Sequence, residues 1–507
     1  MTKTLFLASS CLLGAFTFSL LQCSSSDDGD PNAPPPVPQE CGDEPSKNPT
    51  CTTDALGVFV SPSGNDNGSG TRTEPVKSVG KAIEKSGNKP FVFVCEGNYP
   101  EALTIGRGMG VYGGLSCNGS WDYTGGATSV VPPSGIALTI ANADKPVTIA
   151  DMSFTSAGAS AAGESSLGAW FAQSNAVALR RVNITAGAGA DATKDRPTIP
   201  AWTPATAPKG NDADSEAPGP AQPHPCEGLV TPNDKSTGGA GGGRDEDGGA
   251  GAPPVLPPTP TANTGAGGDT HQSCPKGAGI AGSFGAGGRA SPEGGGFGRM
   301  NAAGYVAADG VAGGNGGTAQ GGGGGAGRNG STAFGGGGGA GGCGGKGGAG
   351  GRAGGSSIAL LVYRTPVTLT GSKLHASKGG VGGPGGTGQV AQQGGTEGKG
   401  YAGPLAVPGC AGASGGHGGS GAGGNGGAGG SSIDVAYTGT APTIDGAQVS
   451  VAASFANQGW TLSPSASAGG SAGDAGQKVV TTSASGESGR AGPQGQIQAV
   501  APLLEGP

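Results

Sequence analysis

The sequence predicts an all-β protein built as a β-solenoid, with long glycine-rich insertions between some of its turns. Three observations lead to this fold class. A pair of short alternating strands recurs along the chain, a Ser-Ser dipeptide recurs where a strand begins, and 114 of the 507 residues are glycine.

The recurring strand pair has the form expected for one rung of a solenoid. Each copy consists of two short segments in which apolar and polar residues alternate, separated by a polar bend. One rung cannot bury its inward face alone, so the copies must stack on one another. The copies are residues 146–157, 176–186, 366–376 and 442–451.

The chain returns to the solenoid at similar points. Ser-Ser dipeptides at 165–166, 356–357 and 431–432 each precede a new strand. The segment between the end of a rung and the next dipeptide differs in length. It is a few residues long in the first case, very long in the second and of medium length in the third. We therefore expect the glycine-rich tracts to be insertions at one corner of a single solenoid.

The composition excludes several classes of protein. Glycine makes up about 22% of the chain, 114 of 507 residues, against a usual share of roughly 7%. Aromatic residues make up 5% and charged residues 12%, which is too little side-chain material for an ordinary globular enzyme of this length. The net charge of −7 argues against binding to nucleic acid.

The glycines follow a period of three. Five consecutive Gly-Gly-X triplets fill residues 338–352, and further triplets occur within 379–387 and 415–431. This is the period of the extended polyproline II-type helix, which has no internal hydrogen bonds. Such helices can pack backbone to backbone, so we expect ordered bundles at 310–355 and 379–430. A flexible, solvated linker is the alternative.

Changes in composition divide the chain after residue 54 into six segments. They are an N-terminal β part at 55–190, an irregular Pro- and Asp-rich insert at 191–262, a glycine-rich insert at 263–355, one rung at 356–378, a second glycine-rich insert at 379–430 and C-terminal rungs at 431–507.

The first residues have the layout of a secretory signal. An apolar run from Leu5 to Leu21 ends just before Cys23. Residues 1–23 resemble a bacterial lipoprotein signal peptide, although Gln22 replaces the small residue usual before the cysteine. The resemblance implies lipidation of Cys23 after cleavage, which would hold the protein on a membrane surface. A plain signal peptide is the alternative.

Residues 24–54 are rich in Ser, Asp and Pro, which predicts a disordered tether. We therefore expect an exported protein of the cell envelope, lipid-anchored in the outer membrane or at the surface of a Gram-negative bacterium. The expected partners are the membrane, through the anchor, and a glycan or a surface protein. Nucleic acid is not an expected partner.

Eight cysteines remain when Cys11 and Cys23 are set aside. An even number in an oxidising compartment suggests disulfides, whose connectivity the sequence leaves open. Pairing of sequence neighbours would join Cys41 with Cys51, Cys95 with Cys117, Cys226 with Cys274, and Cys343 with Cys410. The alternative is a zinc site of His224, Cys226, His271 and Cys274, whose spacing matches no common zinc module.

Residues 57–155 resemble the start of pectate-lyase-like parallel β-helix proteins. The resemblance rests on residues 60–71, 94–101 and 111–114. It implies a right-handed parallel β-helix whose open N-terminal end is capped by the helix at 75–85. The glycine-rich tracts resemble polyglycine II bundles and the repeats of PE-PGRS-type surface proteins.

Polysaccharide lyases of this fold use clustered Asp or Glu to bind calcium and a basic residue to abstract a proton. The candidates in this chain are Asp144, Asp151, Arg180, Arg181 and the acidic run Asp245-Glu246-Asp247. Asp151 and the two arginines lie at rung bends, where turn formation explains them, and the acidic run is expected to be solvated.

We therefore assign no catalytic residue, no metal ligand and no cofactor. The expected role is structural or adhesive, through glycan or protein binding. A carbohydrate-active β-helix enzyme, either a lyase or a hydrolase, and a passive glycine-rich spacer are the alternatives.

Overall fold

The structure is a computed structural model. It describes residues 35–226, 234–254, 265–270, 273–274, 276–292, 298–328, 333–403, 407–448, 468, 471–478, 481 and 483–505. The predicted signal peptide and Cys23 lie outside these residues. Within them, no helix has the length and apolar character that crossing a membrane requires.

The described chain is mostly β-structure with little helix. The helices are two short 3₁₀ helices, Gln39–Cys41 and Pro45–Lys47, and α1 (Val79–Lys85). The strands are β1 (Gly57–Val60), β2 (Phe91–Cys95), β3 (Gly97–Tyr99), β4 (Leu103–Ile105), β5 (Met109–Leu115), β6 (Thr128–Val130), β7 (Leu138–Ala141), β8 (Val147–Ala150), β9 (Ser153–Thr155), β10 (Ser166–Ala172), β11 (Val177–Arg180), β12 (Asn183–Ala186), β13 (Gln222–Pro225), β14 (Lys235–Gly238), β15 (Arg299–Asn301), β16 (Gly304–Val306), β17 (Ser357–Tyr363), β18 (Val367–Thr370), β19 (Lys373–Ala376), β20 (Ser432–Thr438), β21 (Thr443–Ile444), β22 (Ala447–Gln448), β23 (Ile497–Pro502) and β24 (Leu504–Glu505).

Three long sheets of parallel strands form what we call the three-sheet body. Sheet one has the order β1-β2-β5-β8-β11-β18-β21-β22, sheet two the order β23-β20-β17-β10-β7-β4, and sheet three the order β19-β12-β9-β6-β3. From β2 to β20 the chain visits sheets one, three and two in turn and then repeats the cycle, with β13 to β16 inserted on the way. This arrangement is consistent with a parallel β-helix.

The predicted rungs lie in register. Val147, Val177 and Val367 are aligned in sheet one, and the second serines of the three Ser-Ser dipeptides are aligned in sheet two. The prediction of a fourth rung at 442–451 is wrong in its described part. There β21 joins sheet one, but β22 turns back and pairs with β21 in antiparallel fashion.

The two longest connections join the same pair of sheets. Residues 187–356 lie between β12 and β17, and residues 377–431 lie between β19 and β20. Both therefore leave sheet three and return at sheet two, at one corner of the body.

Apolar side chains from the inward faces of the sheets form the main core. Val130, Phe154, Ile184 and Leu374 stack in one such column of sheet three. Helix α1 begins later than predicted, at Val79, and its buried Val79 and Ala82 join the same core. The carboxylate of Glu101 accepts the N–H groups of Val79 at 2.7 Å and Gly80 at 2.9 Å, which caps the helix.

A second apolar cluster lies on the outer face of sheet one and corrects the tether prediction. Phe59, Phe93, Tyr112 and Trp121 pack there with Cys41 and Cys51. The two cysteines form a disulfide and are 3% and 0% exposed. The predicted tether 24–54 is therefore wrong for residues 35–54, which fold onto the body because aromatic side chains face outward beneath them.

A third cluster lies on the outer face of sheet two. Met300, from the hairpin of β15 and β16, packs with Trp170, Leu361 and Tyr363, and β24 pairs with β15. The insert at 191–262, expected to be irregular, contains a second antiparallel hairpin of β13 and β14.

Backbones in the left-handed region stack at two corners of the body. Such residues favour tight turns because their positive φ reverses the chain direction locally. After sheet one they are Asp151, Arg181, Gly371 and Asp445, and after sheet two they are Asn142, Gln173, Arg364 and Gly439, with φ from 45° to 84°. Six of these eight residues are not glycine, so the usual sequence marker of a positive φ is missing at most positions of the two columns.

The glycine-rich tracts carry few strands but many backbone hydrogen bonds between segments. We call the segments 310–325, 335–355, 380–398 and 410–430 the glycine layer. Every third N–H from Gly336 to Gly354 donates to a carbonyl 74 positions later, from Cys410 to Ala428. Segment 335–355 accepts similar bonds from 310–325 and from 380–395.

Close backbone contacts explain the Gly-Gly-X triplets of this layer. A Cβ on Gly344 would lie 2.0 Å from the carbonyl oxygen of Gly316, and one on Gly345 would lie 2.0 Å from that of Gln389. Ala349, at an X position, is exposed. Two residues of each triplet therefore face neighbouring backbones, and the third has room for a side chain.

Candidate functional site

Asp151 and Arg181, two of the predicted candidates, lie next to each other in the left-handed column after sheet one. Arg181 donates to both carboxylate oxygens of Asp151 at 2.7 and 2.9 Å, and the Tyr123 hydroxyl donates to Asp151 at 2.9 Å. The Asp151 side chain is 8% exposed. These bonds raise the pKa of Arg181 above its ordinary value. Both carboxylate oxygens of Asp151 are therefore already hydrogen-bonded within the protein.

The folded segment 35–54 adds two carboxylates to this network. Glu44 pairs with Arg181 at 2.6 Å, and Asp43 pairs with Arg180 at 2.8 Å. A hydrogen bond from Lys47, supported by Arg181, lowers the pKa of Glu44. The arginines at the bends thus hold the N-terminal segment, a structural role that the sequence did not predict.

The remaining acidic candidates stay apart from this network. Asp144 is exposed, as are Asp245, Glu246 and Asp247. Glu246 accepts the N–H of Gly243, and Asp247 accepts that of Thr270. Among the residues that the structure describes, no three carboxylate groups lie close enough together to hold a metal ion.

A basic pocket of about 460 Å³ opens on the corner where strands of sheet one begin. Its lining includes Lys89, Phe91, Arg107, Tyr112, Lys145 and Thr148. Each of the three cations stands two residues ahead of a strand, β2, β5 or β8, and these strands are neighbours in the sheet. The strand register places Arg107 level with Lys145 and Lys89 one position out of line with them, so the three cations cluster at one corner of the sheet.

The charge of this pocket is not neutralised by the protein. Within the described ranges no carboxylate forms an ion pair with Lys89, Arg107 or Lys145. Arg107 donates to the Ser86 hydroxyl, and burial lowers its pKa from the ordinary value. The sequence signal was a cation two residues before each of three strands, a pattern visible only once the strands are known to stack.

All eight candidate cysteines form disulfides. Cys41 pairs with Cys51 and Cys95 with Cys117, which follows the pairing of sequence neighbours. The other four cysteines do not follow it, because Cys226 pairs with Cys343 and Cys274 pairs with Cys410. Both of these disulfides connect the region before β15 to the glycine layer. The Cys226–Cys343 bond lies within the connection 187–356, and the Cys274–Cys410 bond joins that connection to the connection 377–431.

His224 lies beside one of these disulfides. Its Nε2 is 3.4 Å from the Sγ of Cys343 and 2.7 Å from the Oε1 of Gln392. The alternative zinc set is not assembled in the described residues, since Cys274 is bonded to Cys410 and His271 lies outside them.

One buried carboxyl group escaped the sequence analysis. Asp434, in β20, is fully buried, and its Oδ1 accepts the N–H of Ala376 at 2.8 Å. Its Oδ2 has no hydrogen-bond partner among the described residues. Burial raises the pKa of Asp434 to about 8, so the folded protein holds this group protonated at neutral pH.

Comparison with known families agrees with the architecture. Residues 62–146 match a family described as "Protein of unknown function (DUF1565)", which is found in parallel β-helix proteins. No curated protein and no solved structure is detectably similar to the chain. The matched segment contains α1, the strands from β2 to β7 and all three cations of the basic pocket.

Proposed function

We propose that the chain is an exported surface lipoprotein, anchored at Cys23, in which a right-handed parallel β-helix carries a stiff layer of polyglycine II-type helices. Its role is structural and adhesive. The observation that carries the proposal is that the glycine layer and the strands of sheet two share one hydrogen-bond register. The offset of 74 residues that joins Gly354 to Ala428 also joins Ser357, the first residue of β17, to Ser431, the residue before β20.

This register supports a structural role for the glycine layer. A solvated linker satisfies its backbone groups with water, whereas these segments bond to one another over many consecutive turns. The Cys226–Cys343 and Cys274–Cys410 disulfides tie the layer to the rest of the insert. Such a layer makes the insert stiff, whereas a passive spacer can be flexible.

The basic pocket supports an adhesive role. Three unpaired cations around a concave surface favour a ligand with a carboxylate, sulfate or phosphate group. Anionic groups of this kind occur on surface glycans and proteins. The enzyme alternative has less support, because the acidic cluster that it requires is not found in the described residues.

Limited proteolysis of the purified ectodomain tests the structural part. We expect the segments 310–325 and 335–355 to resist cleavage under conditions that digest an unfolded chain. Rapid cleavage throughout these segments would favour the passive spacer.

A glycan array tests the adhesive part. We expect binding to anionic glycans and at least a tenfold weaker signal when Lys89, Arg107 and Lys145 are changed to Ser. The matched control changes Lys194, Arg352 and Lys373, three exposed cations outside the pocket, to Ser. Equal losses in the two variants would contradict binding at the pocket.

A further inference from the structure

We propose that His224, Cys226, Cys343 and Gln392 form a binding site for a thiophilic divalent cation, with zinc as the model, when the Cys226–Cys343 disulfide is reduced. The site is separate from the basic pocket and does not depend on the adhesive role.

The four donor atoms already lie close together. The ligand atoms of His224, Cys226 and Cys343 all lie within 4.8 Å of one another. The Oε1 of Gln392 lies beside them, where it accepts a hydrogen bond from His224 Nε2 at 2.7 Å. Binding of a metal ion by Nε2 replaces this bond and moves the imidazole proton to Nδ1. Two cysteine sulfurs and one imidazole nitrogen are ligands that zinc prefers, and the oxygen of Gln392 or of a water molecule completes a four-coordinate set.

The surrounding backbone holds these groups in place. Gln392 donates from its Nε2 to the carbonyl of Pro204 at 2.8 Å, which turns its Oε1 toward the cysteines. The same Oε1 accepts the N–H of Cys343 at 3.2 Å. Cys343 and Gln392 also lie in segments joined by backbone hydrogen bonds, since the N–H of Gln392 donates to the carbonyl of Cys343. Reduction removes one covalent bond and leaves these contacts.

The distances suit a tetrahedral ion after a small adjustment. Zinc bonds of roughly 2.3 Å to sulfur and 2.0 Å to nitrogen place the two ligand atoms about 3.5 Å apart. The Cys343 Sγ to His224 Nε2 distance is 3.4 Å. The two sulfur atoms must separate to about 3.8 Å, which side-chain rotation allows once their bond is broken.

The chemistry balances with a phosphine as the reductant. The phosphine takes the oxygen of one water molecule and becomes its oxide, while the disulfide gains two electrons and two protons as two thiols. Binding of one divalent cation then releases those two protons. His224 ligates through Nε2 with its proton on Nδ1. The disulfide and the metal site exclude each other, because both use the same two sulfur atoms.

Metal uptake by the purified ectodomain tests the proposal, with Zn²⁺ counted by mass spectrometry and Co²⁺ used as a spectroscopic probe. After phosphine treatment we expect one additional Zn²⁺ per chain and a tetrahedral, thiolate-ligated Co²⁺ spectrum. The oxidised protein should lack both. The variant Cys274→Ser with Cys410→Ser should behave as the reduced wild type, whereas Cys226→Ser with Cys343→Ser should lose the additional ion.

A histidine variant separates ligation from the general effect of reduction. His224→Ala keeps both cysteines, and we expect at least a tenfold weaker affinity for Zn²⁺. His375→Ala, on β19, is the matched control and should leave the affinity unchanged. Equal uptake by the reduced wild type and by Cys226→Ser with Cys343→Ser would overturn the proposal. Loss of protease resistance in the layer on reduction would also overturn it.

Discussion

In sheet three of the body, Val130, Phe154, Ile184 and Leu374 fill the space between strands with side chains. In the glycine layer, Gly345 occupies an equally buried position and its neighbour is the carbonyl of Gln389. Burial of apolar side chains stabilises the first region. The second has almost no side chains to bury, so hydrogen bonds and close backbone packing must stabilise it.

This difference determines which substitutions each region tolerates. An apolar core accepts another side chain of similar volume because neighbouring rotamers can adjust. A backbone carbonyl 2.0 Å from a new Cβ has no rotamer to change, so the segment itself must move. The three-sheet body should therefore be sensitive to lost volume, and the glycine layer to added volume.

The largest effect is expected from lost volume in the body. Phe154→Ala leaves a cavity in the main core and should lower the free energy of unfolding by about 3–5 kcal/mol. Phe154→Leu, which keeps most of the volume, should cost about 1 kcal/mol. Urea unfolding of the ectodomain measures both. Similar costs for the two variants would show that volume does not control stability there.

A smaller effect is expected from added volume in the layer. Gly345→Ala adds one methyl group against the carbonyl of Gln389 and should cost about 1–3 kcal/mol. It should also open the segment 335–355 to proteases. Ala349→Val adds two methyl groups at an exposed X position and is the control, with an expected change within about 0.5 kcal/mol. Equal protease resistance of Gly345→Ala and the wild type would contradict close backbone packing.

A pH-dependent effect concerns Asp434, which lies where the second insert returns to the body. Its pKa is about 8 when folded, against 3.8 for an ordinary aspartate. Between these pH values the unfolded chain releases the proton and the folded chain keeps it. Raising the pH from 4 to 8 should therefore lower the free energy of unfolding, by at most about 1.4 kcal/mol per pH unit.

Unfolding at pH 5 and pH 8 measures this dependence. Asp434→Asn should remove most of it, because the amide cannot ionise. Asp144→Asn, at an exposed site, is the control and should leave the dependence unchanged. An identical pH slope for Asp434→Asn and the wild type would contradict a buried, protonated carboxyl group.

Local patterns were enough to predict much of the fold. The aligned rungs follow from alternation and repetition over a few residues. The disulfides Cys41–Cys51 and Cys95–Cys117 close short loops, so sequence neighbours are also spatial neighbours.

Features that depend on distant contacts were not predictable from the sequence. Cys226 meets Cys343 because two distant parts of the connection 187–356 pack side by side, and no short sequence pattern indicates which residues become neighbours. The segment 35–54 has the composition of a disordered chain, and it folds only because Phe59 and Phe93 face outward on a sheet that forms later in the chain. The cluster of Lys89, Arg107 and Lys145 likewise exists only after three strands have stacked.

Because segments 335–355 and 410–430 share a register of 74 residues, the number of triplets sets the length of the glycine layer. From Gly336 to Gly354 it contains seven equivalent hydrogen bonds, one for each triplet. An extended three-residue helix rises about 3.1 Å per residue, so every triplet adds about 9 Å. Insertion or deletion of whole triplets in all the partner segments would change the reach of the layer in fixed steps, while the strands at its base would keep their alignment.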